Sequence, residues 1–366
     1  MSAITTVLML LNCGEHIVLP KDVYGGTFQF SSKILKKYGI EVSFINYQNL
    51  EELEATIKDN TAMIYIETPS NPLLKVSDIK AIVEIAKKHN IKTVADNTFM
   101  TALYQKPLDL GCDIVIESLT KFVNGHSDVT AGCAVTNNED IASEICLLQK
   151  NFGGILGVED AWLILRGMKT MGLRMEKSVE NARILTKFLE TQDKIKKVYY
   201  PNLTSCKFYD IHTEQASSGG AVFSFEFFEQ DDLKTFLKKI KIPIYAISLG
   251  GVESIISHPA TMSHACMSEE ERLAQGVTQT LLRFSCGVED SEDLIEDLKQ
   301  AFLDDTVKII WTTIGGDDTF RTLPYLMTDD FQEIVKNNPK IFIGMSDTTN
   351  NHLMLYKMGL KTFYGP

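Results

Sequence analysis

Paired cysteines are missing from this chain of 366 residues: its seven (Cys13, Cys112, Cys133, Cys146, Cys206, Cys266 and Cys286) show no CxxC spacing and are odd in number. They read as reduced cytosolic thiols, which sets aside a disulfide frame and a zinc site. No long hydrophobic run occurs either. The longest early one, Val7 to Leu11, is too short to span a bilayer and has no basic segment before it, so neither a membrane anchor nor a targeting signal is visible. Positive charge is scarce as well. With a formal net charge of -12 and Lys and Arg dispersed, the chain has no surface suited to nucleic acid or to an anionic membrane. Internal repeats, low-complexity tracts and Pro/Gly-rich linkers are absent, so any domain boundary has to be read from pattern alone.

The composition that remains, 44% hydrophobic and 23% charged, is that of a globular protein able to bury large cores in two or three domains. In the first half, strand patterns (Ile17 to Leu19, Val42 to Phe44, Ala62 to Ile66, the run ending at Asp96, and Ile114 to Ile116) alternate with helical ones (Phe28 to Tyr38, Leu50 to Ile57, Ile79 to His89). Such alternation predicts a parallel sheet with helices on both faces. From Val158 the pattern turns helical over Ala161 to Arg166 and Ser178 to Glu190. A smaller α+β unit follows, with strands at Val198 to Tyr200, Ala221 to Phe227 and Leu281 to Ser285 and a closing helix over Asp290 to Leu303.

Two strand ends carry the chemistry. One apolar run delivers Asp96; the next delivers Ser118, Thr120 and Lys121. Because ligand sites of open α/β sheets lie beyond the carboxyl ends of strands, both sets face the same side. A lysine amine, hydroxyls and a buried carboxylate are what pyridoxal 5'-phosphate (PLP) requires: an imine partner for its aldehyde, donors for its phosphate and an anion that keeps its ring nitrogen protonated. Taken alone, the pair also matches a surface lysine after a strand and an aspartate helix cap.

Further segments narrow the choice. Asp22-Val23-Tyr24-Gly25-Gly26-Thr27, Glu67-Thr68-Pro69-Ser70-Asn71-Pro72, Ala95-Asp96-Asn97-Thr98-Phe99, Ser118-Leu119-Thr120-Lys121, Arg166-Gly167-Met168-Lys169-Thr170, Ser248-Leu249-Gly250-Gly251-Val252-Glu253-Ser254, His258-Pro259-Ala260 and Leu282-Arg283-Phe284-Ser285 occur in that order. Together they make residues 2 to about 303 resemble the trans-sulfuration (Cys/Met metabolism) family of PLP enzymes. The resemblance implies an α/β architecture: PLP-dependent transferase fold type I (aspartate aminotransferase-like), with a mostly parallel sheet and a smaller C-terminal α+β domain. The expected division is a PLP-binding large domain over 1–166, a small domain over 167–304 and an α/β fragment over 305–366.

Carried over residue by residue, the family implies that Lys121 binds the cofactor covalently and shuttles protons, and that Asp96 pairs with the ring nitrogen. Tyr24 stacks on the ring and assists the leaving group. Asn71 bonds the ring hydroxyl or the substrate carboxylate. Ser118 and Thr120 hold the phosphate, Ser248 positions Lys121 and substrate, and Arg283 clamps the amino-acid carboxylate in a bidentate pair. Read individually, Tyr24 is also an ordinary packing residue and Asn71 an ordinary turn residue. Arg283 lies amid strand residues, where a lone arginine is uncommon without an anion. His126 and His258 read as structural hydrogen-bonders.

The implied activity is that of a PLP-dependent carbon-sulfur lyase on a small amino-acid substrate. Gly26 stands where methionine γ-lyases carry cysteine, and Ile247 where many enzymes of γ-chemistry carry an acid. The stretches Asn151 to Gly157 and Asn97 to Asp109 resemble the cystathionine β-cleaving branch. γ-Synthase and γ-lyase chemistry are the alternatives. The family assembles as a dimer of dimers, and the chain opens inside one of its helices, about a quarter of a domain late. Loss of PLP binding, a catalytically silent product and exposed apolar surface over Ala3 to Leu11 are corresponding expectations. The tail, with Ile314-Gly315-Gly316-Asp317-Asp318 and Gly344-Met345-Ser346-Asp347, resembles part of an LD-carboxypeptidase with Ser346 matching its nucleophile. A serine hydrolase also needs a base and an orienting acid, so muropeptide hydrolysis ranks last.

Overall fold

The computed structural model describes residues 1–265 and 267–303, with the short segments 309–311, 341–344, 355–357 and 363–364. Its first half builds a six-stranded sheet from β1 (His16–Pro20), β2 (Glu41–Ile45), β3 (Thr61–Glu67), β4 (Lys92–Asp96), β5 (Ile114–Glu117) and β6 (Cys133–Val135). The order is β2-β1-β3-β4-β5-β6. The first five strands are parallel, as the alternation requires; β6 runs antiparallel to β5 and was not visible as a separate strand.

Alternation along each strand splits its side chains between two cores. Ile17, Leu19, Met63, Tyr65, Val94, Ile114 and Ile116 face one apolar cluster, which takes Ile4, Val7 and Leu8 from helix Ser2–Leu8. Val18, Ile64, Ile66 and Ala95 face the other, packed under helix Ile79–Lys88 through Ile79, Ile82 and Val83. Apolar cover on both faces is why the strands read as nearly continuous hydrophobic runs. It also corrects one expectation: the apolar residues of Ala3 to Leu11 are not exposed. Ile4, Val7, Leu8, Leu10 and Leu11 are all buried, because their stripe lies against the sheet and Ile141 of helix Glu139–Phe152.

Helices Val158–Met168 and Met171–Leu189 lead to a five-stranded sheet of β7 (Ile195–Tyr199), β8 (Val222–Phe227), β9 (Ile244–Tyr245), β10 (Ile255–Ser257) and β11 (Leu281–Ser285), in the order β7-β8-β11-β10-β9. β7 begins three residues earlier than its apolar stretch indicates, since the exposed Lys196 and Lys197 hide its start. Opposed on β8 and β11, Phe223 and Phe284 stack with ring centroids 5.0 Å apart inside an aromatic core. Period-two alternation therefore sends Arg283 out of the opposite face, towards the large sheet. There Ser224, its register partner, donates to the Pro72 carbonyl at 2.6 Å. Beyond residue 303, β12 (Ile309–Trp311), β13 (Ile341–Gly344) and β14 (Phe363–Tyr364) form a parallel three-stranded sheet. The strand expected at Ile341 to Ile343 is thus present; Ser346 lies outside the described residues.

Candidate active site

Asp96 ends β4, Glu67 ends β3 and Glu117 ends β5. Register places Glu67 beside Asp96, on the same face as Tyr65, and places Ile116, not Glu117, opposite Asp96. Asp96 Oδ1 accepts from the Thr98 hydroxyl at 2.6 Å and the Thr98 amide at 3.1 Å, and Oδ2 accepts from the Tyr65 hydroxyl at 3.3 Å. Glu67 Oε2 accepts from the Tyr24 amide at 2.8 Å, which fixes the loop after β1 where helix Gly25–Gln29 begins. Burial raises the Asp96 carboxyl, partly offset by the Thr98 bonds, and holds Glu67 well above the usual range, with the neighbouring Asp96 adding to it. Tyr24, half-exposed, has its hydroxyl raised by partial burial and by Glu67 and Asp96.

The turn after β5 brings in Lys121. Its Nζ donates to Ser248 Oγ at 2.7 Å. Desolvation, aided by the Arg283 charge, lowers its pKa to about 8, so about a tenth is free amine at neutral pH, far more than for an ordinary lysine. Ser248 sits at φ +82° in the loop between β9 and β10, a strained conformation for a residue with a side chain. Its carbonyl accepts from Arg283 Nη2 at 2.6 Å, while Arg283 Nη1 donates to Asn71 Oδ1 at 3.0 Å. Arg283 is 5% exposed and its Nε is buried without a hydrogen-bond partner among the described residues. Burial brings its pKa down to about 10.

Of the eight residues singled out in the sequence, Asn71, Lys121, Ser248 and Arg283 form one hydrogen-bonded set, and Tyr24 and Asp96 meet around Glu67 in a second. Ser118 and Thr120 lie on the same turn. Ser118 gives its amide to Thr98 Oγ1 at 2.9 Å, and Thr120 spends its hydroxyl on the Ala131 backbone, donating to the carbonyl at 3.1 Å and accepting from the amide at 2.9 Å. His126 contacts the Asn124 carbonyl, and His258 contacts Thr261 and the Gln279 carbonyl.

Glu67 and Tyr65, the neighbours of Asp96, were not singled out from the sequence. Glu67 had a signal: like Asp96, it is an acid closing an apolar run. Tyr65 had none, being one aromatic within a hydrophobic strand.

The residues fit PLP. Buried acids with no basic side chain bonded to Asp96 among the described residues, a lysine amine poised near neutrality and an unpartnered guanidinium N–H make a site that calls for a cationic ring nitrogen, an aldehyde and a carboxylate. Fold and site define a PLP-dependent enzyme of fold type I. A model of the Cys/Met metabolism PLP-dependent enzymes matches residues 1–303, and the chain belongs to that family. A model of the LD-carboxypeptidase N-terminal domain matches residues 259–365, overlapping the first.

Cystathionine β-lyase of Bacillus subtilis is 46% identical over 301 residues, covering 82% of this chain and 77% of that protein. Cystathionine γ-lyase of the same organism is 45% identical over 301 residues, covering 82% and 79%. The crystal structure of cystathionine γ-lyase from Lactobacillus plantarum complexed with L-serine superposes with a TM-score of 0.80 at 40% identity, covering 82% of this chain and 79% of that one. The chain is a PLP-dependent carbon-sulfur lyase of cysteine and methionine metabolism.

Glu117 offers a test of the strand-end electrostatics. It is 7% exposed, and burial pushes its carboxyl up to about 7 against the Asn97 amide that bonds it. A carboxyl raised in the folded state binds more protons than in the unfolded chain, so stability falls as pH rises from about 4.5 to about 7. Glu117→Gln is expected to flatten that slope in cofactor-free protein, gaining up to about 3 kcal/mol above neutrality and little in acid. Thermal unfolding against pH checks it, and an unchanged slope would count against the burial account.

Proposed function

We propose that the chain cleaves cystathionine at Cβ, giving homocysteine, pyruvate and ammonia with uptake of one water. The names of its relatives and Ile247 support this reading. Where an acid would recognise the distal amino group in γ-chemistry, this chain has a half-exposed aliphatic side chain beside Ser248. The observation that carries the lyase reading is the 2.7 Å contact between Lys121 Nζ and Ser248 Oγ, with Arg283 on the same serine's carbonyl.

When bound, PLP supplies a carbonyl that captures the substrate amine and a ring that takes up the electrons left at Cα. Asp96 would hold the ring nitrogen protonated, its own Oδ1 kept in place by Thr98. Arg283 would present Nε and an Nη to the substrate carboxylate, with Asn71 steadying the other edge. Lys121, displaced from the cofactor by substrate, would take the Cα proton; its lowered pKa makes the free amine available near neutral pH. Ser248 would then receive and orient the protonated amine. Tyr24 would cover the ring and serve the leaving sulfur, while Ser118 and Thr120 would meet the phosphate. The division into 1–166, 167–304 and 305–366 belongs to this reading.

We also place the enzyme in the cytoplasm as a homo-oligomer. Phe152, Ile155, Val158, Trp162 and Leu165 are apolar and exposed along helices Glu139–Phe152 and Val158–Met168 and the turn between them, a face suited to a second copy. No described helix is long and apolar enough to cross a membrane.

Incubating PLP-loaded protein with cystathionine decides between the routes: pyruvate and homocysteine are expected, whereas 2-oxobutyrate and cysteine would establish γ-elimination. Neither product, from protein that shows the cofactor's band, would leave a silent fold.

A further inference from the structure

Arg174, on helix Met171–Leu189, is 8% exposed, and its hydrogen-bond acceptors among the described residues include no carboxylate. Nη1 donates to the Phe122 carbonyl at 2.8 Å, Nη2 to the carbonyls of Val123 and Gly167 at 3.0 Å each, and Nε to Thr170 Oγ1 at 3.2 Å. A guanidinium buried among neutral acceptors is costly. Burial accordingly depresses its pKa. What the arrangement gains is a planar fork that fixes two successive carbonyls. Those carbonyls belong to the two residues after Lys121.

A second element grips the same stretch. Gly250, at φ +81°, sits so close that a Cβ there would lie 2.6 Å from the Phe122 nitrogen and 3.0 Å from the Lys121 carbonyl carbon. Gly125, at φ +74°, leaves room for the guanidinium; a Cβ would collide with it. Between the two grips Lys121 adopts φ -93°, ψ -132°, a break in the helical turn Leu119–Val123. A small rotation there is amplified along a long flexible side chain, and among the described residues Nζ has a single hydrogen bond, the 2.7 Å contact to Ser248, to lose.

We propose that Arg174 is a positioning residue for Lys121, clamping the backbone after it against Gly250 so that the amine stays on Ser248. The proposal rests on Lys121 being the cofactor-bearing base. Its test begins with cofactor-free protein. Acetic anhydride labelling of Lys121 is followed by mass spectrometry across the neutral-to-alkaline range in the parent, Arg174→Lys and Arg174→Met, with near-ultraviolet circular dichroism reporting the fold.

The labelling midpoint is expected to move up towards that of an ordinary lysine, more in Arg174→Met than in Arg174→Lys. In the PLP-loaded enzymes kcat should fall about 10- to 100-fold with KM within about twofold. Folded variants with the parent's midpoint and kcat would overturn the proposal. Loss of the native near-ultraviolet spectrum in both variants would overturn it too, by making Arg174 a residue of overall stability. Failure of the Lys121 reading is separately visible, as persistence of the cofactor's band and turnover in Lys121→Ala.

Discussion

Lys121→Ala should abolish the visible band that forms when PLP is added to the parent and lower turnover by at least about a thousandfold. Two losses combine. The amine proposed to bond the cofactor goes, and with it the proposed base for the Cα proton. The substituted chain should still fold, because among the described residues the Lys121 side chain contributes one hydrogen bond, to Ser248, and alanine keeps the backbone bonds to Ser118 and Gly125. Removing Lys121 also relieves the strain of keeping an amine whose pKa burial has lowered to about 8. Absorbance spectra of the two proteins with added PLP, beside product assays with cystathionine, settle it. A band of equal strength in Lys121→Ala would assign the attachment to another lysine.

Arg283→Lys should reduce kcat/KM for the amino-acid substrate by about a hundredfold to a thousandfold. Arg283 holds Asn71 with one nitrogen and the Ser248 carbonyl with another, leaving Nε buried and free. A lysine ammonium is a point charge on a flexible stem and cannot keep both protein bonds and grip a carboxylate edge-on. KM should rise for loss of the clamp. kcat should fall as well, because the Ser248 carbonyl loses its donor and the hydroxyl of the same residue holds Lys121. Steady-state kinetics separate the parts, and a lysine variant within about threefold of the parent in kcat/KM would remove Arg283 from the substrate site. Arg283→Ala is the coarser version and leaves the partly buried Asn71 amide oxygen without this donor.

Much of the site was legible because it lies at strand ends. Asp96 and Lys121 close adjacent apolar runs, and adjacency in a parallel sheet carries both to the same rim. Arg283 was conspicuous as a charge inside an apolar strand. Neither Arg174 nor Tyr65 could be seen that way. Arg174 sits in a helix whose polar residues look solvent-facing, and its partners, Phe122 and Val123, are distant in sequence and contribute only carbonyls. The burial of Ile4, Val7 and Leu8 was likewise hidden, since a helix's periodicity tells which face is apolar but not what covers it.

By itself the sequence determined the α/β order of the first half, the parallel sheet and the strand ends that carry Asp96 and Lys121, the acid and the lysine expected to meet the cofactor, because period-two and helical patterns and strand-end chemistry are local. Only the tertiary structure decided that Glu67 stands beside Asp96, that Arg283 reaches both Asn71 and Ser248, and that Arg174 and Gly250 close on the backbone around Lys121. Those contacts join residues far apart along the chain through backbone carbonyls, register and the space left by glycine, none of which a side-chain pattern encodes.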